Sequence, residues 1–190
     1  MRIICFGDSN TYGYDPRSYF GGRYEPEYRW VDILADRLNC AVVNAGENGR
    51  EIPWRPIEIQ YFREMMERFP QTDLLIIMLG TNDLLQGNSA EETGNRMCSF
   101  LRVAEQYSAK IMLIAPPEIR LGEWVNSGSM LEESEKMGDL YQKAALEMRL
   151  DFADACKWEI PLAYDGVHFT EIGHQIFADA VCCLLKGAHQ

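Results

Sequence analysis

The stretch "IICFGDSNTYGYDP", residues 3–16, decides the fold. An apolar run, Ile3–Phe6, stops at Gly7-Asp8-Ser9, and the chain then turns polar. Short apolar runs bounded by turn residues mark strands that are buried on both faces. Ala41–Asn44, Leu74–Leu79 and Ile111–Ala115 repeat the pattern, and Phe152–Ala153 is a weaker instance. Segments of helical period lie between them. Arg29–Leu38 places Trp30, Ile33, Leu34 and Leu38 near one face. Pro56 suits the first turn of a helix running to about Phe69. Ser89-Ala-Glu-Glu92 reads as a capping box for a helix to about Tyr107. Met130–Leu150 and Thr170–Lys186 are further helices, with Gly187 placed to end the last.

Strands alternating with helices imply a parallel sheet with helices on both faces, joined by right-handed crossovers. The expected architecture is a three-layer α/β/α sandwich around a five-stranded parallel sheet of flavodoxin-like order 2-1-3-4-5. Ligands bind such sheets outside the carboxyl ends of the strands, at the switch point between the first and third. That rule selects residues 7–14 and 80–87 before any motif is considered.

Composition bounds the rest. The 190 residues suffice for one domain with a sizeable core, and residues 1–190 are taken as a single domain. A net charge of −11 disfavours nucleic acid and anionic membrane surfaces as partners. No apolar run approaches the ~20 residues that span a bilayer. After Met1-Arg2 the apolar run is too short for a secretory leader, so a cytoplasmic protein is expected. The six cysteines form no CxxC pair and read as buried, reduced thiols.

The selected loops carry "GDSN" and "GTND". "NAGENG" follows the second strand, and "YDGVHFT" precedes the final helix. Ser9 alone admits three roles: a helix cap, part of a phosphate-binding loop, or a nucleophile. The loop lacks both G-x-x-x-x-G-K-[ST] and G-x-G-x-x-G, which disfavours phosphate.

The set of loops resembles the SGNH hydrolases, also called the GDSL esterase/lipase family. Its Ser, Gly, Asn and His blocks are matched by Ser9 in "FGDSNTYG", Gly46 in "NAGENG", Asn82 in "LGTND", and Asp165 with His168 in "DGVHFT". The match runs in order along nearly the whole chain. It is nearest the small intracellular arylesterase/acyltransferase type. One departure is Asn10, where the namesake motif has leucine. The resemblance implies metal-free, cofactor-free cleavage of short-chain carboxylic esters through an acyl-enzyme, with acyl transfer as a variant. It also implies a homo-oligomer whose loops narrow the entrance. A carbohydrate O-acetylesterase is the alternative within esterases. A catalytically silent binding protein on the same fold is the alternative outside them.

The chemistry supports those positions. A serine hydroxyl needs a base to accept its proton. Imidazole titrates near neutrality, so His168 is the expected base, ahead of His174 and His189. Asp165, three residues earlier, can orient the ring from the same turn. The oxyanion needs donors, expected from the Ser9 and Gly46 N–H groups and the Asn82 amide. Asp8 and Asp83 are expected to brace loops. Tyr12, Trp54 and Trp124, among aromatics that include Tyr14 and Tyr19, are candidate substrate contacts or, equally, parts of a subunit interface.

Overall fold

The computed structural model describes residues 1–18, 20–107 and 110–187. Tyr19 and His189 lie outside the described residues. The strands are β1 (Arg2–Gly7), β2 (Ala41–Gly46), β3 (Leu74–Met78), β4 (Lys110–Ala115) and β5 (Asp151–Asp154). They form one five-stranded sheet of order β2-β1-β3-β4-β5, with every pairing parallel. The helices are α1 (Ser9–Tyr12), α2 (Trp30–Leu38), α3 (Pro56–Arg68), α4 (Thr81–Leu85), α5 (Ala90–Ala104), α6 (Gly128–Met148) and α7 (Glu171–Gly187).

Strand side chains alternate between faces, so each strand feeds two cores. Ile4, Phe6, Leu75, Ile77 and Leu113 pack with Phe62 of α3, Phe100 of α5 and Tyr141 of α6. Ile3, Cys5, Leu74, Ile76 and Met78 pack with Trp30 of α2 and with Phe177 and Val181 of α7. Two buried faces explain why the strands read as continuous apolar runs rather than alternating ones. Each fully buried aromatic contributes roughly 1.5–3 kcal/mol of transfer free energy.

Local signals set the helix ends. Ser89 Oγ accepts the Glu92 N–H at 3.2 Å, and Glu92 Oε2 accepts the Ser89 N–H at 2.9 Å, closing the expected capping box. Pro56 opens α3, and Glu58 Oε2 accepts the Trp54 and Arg55 N–H groups ahead of it. Gly187 is the last residue of α7 rather than the one beyond it. The short helices α1 and α4 carry no periodicity at four or five residues, and the helix-cap reading of Ser9 was the sign of α1. Both begin where a strand ends at the switch point, β1 into α1 and β3 into α4. Cys5 and Cys182 are buried, whereas Cys183 is exposed on α7. Among the described residues, no helix is long and apolar enough to cross a membrane.

Candidate active site

The site forms at the carboxyl edge of the sheet. Asp8, rather than Ser9, caps α1: its Oδ1 accepts the Asn10 N–H at 2.9 Å. Ser9 is therefore the first helical residue, and its hydroxyl is free for another partner. That partner is His168 Nε2, 3.0 Å from Ser9 Oγ. His168 Nδ1 lies 2.7 Å from Asp165 Oδ2. Ser9, Asp165 and His168 are all buried, at 6%, 1% and 1% exposure.

The turn that carries Asp165 and His168 is held from within and without. Asp165 Oδ1 accepts the N–H groups of Val167 and His168, both at 2.9 Å. The His168 carbonyl accepts the Ala163 N–H at 2.7 Å. The loop before α6 adds two straps: Arg120 N–H to the Gly166 carbonyl at 2.9 Å, and Trp124 N–H to the Asp165 carbonyl at 3.1 Å. Burial pushes the Asp165 carboxyl up. The His168 ring bond and the His168 and Val167 N–H groups outweigh that and hold it below the usual carboxylate range. An ionised Asp165 can only accept, so Nδ1 carries the ring proton and donates to it, which leaves the Nε2 lone pair facing the Ser9 hydroxyl.

His174 is a separate matter. It is fully buried in α7, and its Nδ1 accepts the Trp30 N–H at 3.4 Å. Burial lowers its pKa to about 3, with His168 and Arg29 adding to the effect, so it is neutral across the working range.

One of the expected oxyanion donors is already engaged. The Gly46 N–H donates to Asn44 Oδ1 at 3.0 Å and is not left free. Gly46 is required for packing instead, since a Cβ there would collide with the Tyr12 backbone nitrogen. Three residues on, Gly49 holds φ +73° with open space at its Cβ position. Asn82 donates one Nδ2 hydrogen to the Arg50 carbonyl at 3.0 Å, which sets the Gly49–Arg50 segment beside it, and its other hydrogen has no acceptor among the described residues. A donor's availability depends on its acceptors, and the Asn44 side chain two residues earlier supplies one to Gly46.

Arg50 ties this loop to the sheet edge. Its guanidinium donates to the Gly7 carbonyl at 2.8 Å and to the Ala45 carbonyl, and it sits 4.3 Å from the Phe6 ring centroid. Asp83 ties the same loop to α4 and α5. It accepts the Ile52 N–H at 2.9 Å and Arg96 Nη1 at 3.0 Å. Burial pushes the Asp83 and Asp8 carboxyls each up to about 6, against the hydrogen bonds that favour ionisation. Both residues thus have the bracing contacts expected of them. Among the described residues, no three His, Cys, Asp or Glu side chains are grouped to hold a metal ion.

The aromatics divide. Trp124 places its ring edge-on to His168 at 4.8 Å, and Tyr14 lies 4.5 Å from the same ring. Tyr14 belongs to the aromatic-rich stretch after Gly13 but was not singled out with Tyr12, Trp54 and Trp124. Tyr12 instead packs under the Arg23 guanidinium at 4.3 Å. Trp54 is 51% exposed and stands against Arg55 and Arg96, each at 5.1 Å. It lines a groove of about 590 Å³ between α3 and α5. A larger groove of about 680 Å³ runs between the edge strand β2 and α3, past Val43, Ala45, Phe62 and Met65. Gly49 and Arg50 line it; Ser9 and His168 do not.

Comparison with known proteins agrees with the family resemblance and the fold. Residues 5–176 match the model of the GDSL-like lipase/acylhydrolase family. No curated protein matches. Among solved structures, a proposed arylesterase from Agrobacterium tumefaciens str. C58 superposes with a TM-score of 0.84 at 27% identity, covering 98% of each chain. Est24, a carbohydrate acetylesterase from Sinorhizobium meliloti, gives 0.87 at 23% identity over 98% of this chain and 99% of its own. The aryl esterase of M. smegmatis gives 0.84 at 24% identity over 98% of both.

Proposed function

The chain belongs to the GDSL-like lipase/acylhydrolase family and is an ester-hydrolysing enzyme, and on that premise we propose that it is a serine esterase acting on short-chain carboxylic esters through an acyl-enzyme. The observation that carries this is the continuous chain Ser9 Oγ–His168 Nε2 at 3.0 Å and His168 Nδ1–Asp165 Oδ2 at 2.7 Å. Ser9 attacks the ester carbonyl while His168 Nε2 takes its proton. The imidazolium that forms is stabilised by the Asp165 carboxylate. His168 then protonates the departing alcohol, and the Ser9 carbonyl ester remains. Water, activated by the same ring, resolves it. Where the site holds an alcohol in place of water, the acyl group passes to that alcohol.

Negative charge builds on the carbonyl oxygen in each half. The donors we assign are the first-turn N–H of Ser9, the uncommitted Asn82 amide hydrogen, and the Gly49 N–H in place of that of Gly46. Gly49 lies in the same loop, has no acceptor among the described residues, and adjoins the Arg50 carbonyl that Asn82 already touches. Tyr14 and Trp124, against the His168 ring, are placed to meet the alcohol side of the ester.

The test is Ser9→Ala against p-nitrophenyl acetate, with fluorophosphonate labelling of the wild type. Activity should fall to background, and the adduct mass should sit on Ser9. Full activity in the variant, or an adduct elsewhere, overturns the assignment. A panel of aryl acetates and acetylated sugars separates an arylesterase from a carbohydrate O-acetylesterase by the ratio of kcat/KM values.

The family resemblance also supports a single catalytic domain that works as a homo-oligomer in the cytoplasm. The exposed Trp54, Ile57 and Tyr61 on and beside α3 suit a subunit contact, and the free thiols suit a reducing compartment. Sedimentation equilibrium showing only monomer at micromolar concentration would remove the oligomer.

A further inference from the structure

Asn10 stands where the namesake motif has leucine, and its side chain does something leucine cannot. It is 4% exposed, beside Ser9 on α1. Its Nδ2 donates to the Val167 carbonyl at 3.1 Å, and its Oδ1 accepts the Phe169 N–H at 2.9 Å. Those two backbone groups flank His168. A residue in a parallel strand makes the same pair of bonds to the two neighbours of its partner, so the amide acts as a one-residue strand clipped onto the histidine loop. The Asn10 main chain is engaged as well. Its N–H goes to Asp8 Oδ1 at 2.9 Å, and its carbonyl accepts Trp30 Nε1 at 3.0 Å. Every polar group of the residue therefore has a buried partner.

We propose that Asn10 is a positioning residue that sets the Ser9–His168 contact by clamping the histidine loop to the nucleophile helix. The proposal rests on the assignment of Ser9 and His168 as nucleophile and base. Asp165 fixes the direction of the ring within its own turn, but it cannot fix where that turn sits relative to Ser9, which lies 159 residues away in sequence. Asn10 spans that gap at the position next to Ser9. Both ends of the 3.0 Å contact then ride on one hydrogen-bonded unit. Without the clamp, the Val167 carbonyl and the Phe169 N–H are buried with no partner, and the loop relieves that cost by shifting. A displacement of about 1 Å between reacting groups is enough to lower the rate by about 10²-fold.

The experiment compares Asn10→Leu and Asn10→Asp with wild type, well below the Tm of each. Asn10→Leu keeps the branching and number of side-chain heavy atoms, is somewhat bulkier, and loses both bonds. Its kcat for p-nitrophenyl acetate and its rate of inactivation by fluorophosphonate should each fall by about 10²-fold, with KM changed by less than about twofold. Asn10→Asp is nearly isosteric. Protonated, the carboxyl donates to the Val167 carbonyl and accepts the Phe169 N–H, as the amide does. Ionised, it repels the carbonyl. Its kcat/KM relative to wild type should therefore fall as pH rises and stay low in alkali. A residue that only stabilised the fold would lower Tm and leave these rates and the pH ratio unmoved, and that result overturns the proposal. Ser9→Ala is run alongside. If it retains activity, the underlying assignment is lost and the clamp with it. If it is inactive while Asn10→Leu matches wild type, the clamp alone is refuted.

Discussion

Replacing Asp165 by asparagine isolates one function of that residue. The carboxylate makes three bonds. Oδ1 accepts the Val167 and His168 N–H groups at 2.9 Å each, and Oδ2 faces His168 Nδ1 at 2.7 Å. An asparagine keeps the first two through its own Oδ1, so the turn persists. Its NH₂ then points at His168 Nδ1 and can only donate. The ring must present a lone pair at Nδ1 and carry its proton on Nε2, where it faces the Ser9 hydroxyl. The base is now the wrong tautomer. The same exchange in the chymotrypsin-type triad lowers kcat by about 10⁴-fold. That factor corresponds to about 5.5 kcal/mol of barrier. Stability should change far less. Losing one charge-assisted bond costs about 1.5–3 kcal/mol, or less than about 10 °C of Tm for a chain of this size.

The pH dependence follows from the sign of the shift. The folded Asp165 carboxyl lies below its ordinary 3.8, so its contribution to stability is present above that value and is lost as pH falls through the lower folded one. The stability gap between wild type and Asp165→Asn should hold from neutral pH down to about 4 and close only below it. Initial rates on p-nitrophenyl acetate from pH 6 to 9 and thermal melts from pH 3 to 8 test both parts. Retention of about a tenth or more of wild-type kcat would refute the tautomer reasoning.

Other outcomes follow from the same geometry. Asn82→Ala should lower kcat by about 10²–10³-fold with little change in KM; an unchanged kcat would show that the amide holds no charge in the transition state. Asp8→Asn keeps an acceptor for the Asn10 N–H and removes a buried carboxyl raised from 3.8 to about 6. A raised carboxyl stabilises below its unfolded value and loses that contribution as pH climbs to the folded one. At about 1.4 kcal/mol per pH unit, the variant should gain up to about 3 kcal/mol over wild type near pH 7.5 and nothing near pH 3.5. Equal melting-temperature differences at both pH values would count against it. Trp124→Ala removes the ring 4.8 Å from His168 and should raise KM for aryl acetates by roughly two- to tenfold, from the 0.5–1.5 kcal/mol typical of an aromatic pair. The absence of any change in KM, with altered oligomerisation, would assign Trp124 to a subunit contact instead.

Much of this molecule is legible in its residues because the governing interactions are local or periodic. The apolar runs at Ile3–Phe6 and Leu74–Leu79 announce strands wherever the helices fall, and their alternation with helical segments leaves few topologies. Asp165 and His168 are readable as a pair for the same reason. Their contact closes within one turn, so three residues of spacing suffice to anticipate it. The capping box at Ser89 and the start at Pro56 are equally short-ranged.

What the residues could not convey is which groups are already engaged. Gly46 and Gly49 are alike as letters. Only the folded chain shows that the Gly46 N–H is taken by Asn44 Oδ1 and that the open backbone lies at Gly49. Tyr12, Tyr14, Trp54 and Trp124 are equally plausible aromatics until the loop before α6 delivers Trp124, and the segment after α1 delivers Tyr14, to the His168 ring. Asn10 is a one-letter departure from a motif until the far end of the chain places Val167 and Phe169 against its amide. Periodicity and turn chemistry are properties of neighbouring residues, so the sequence by itself conveyed the strands and helices, and analogy to a known sheet order and family supplied the order and the proposed site residues. A hydrogen bond needs two groups within about 3 Å, whatever their separation along the chain. Tertiary structure therefore decided which donors stay free, which rings face the chemistry, and what holds Ser9 to its base.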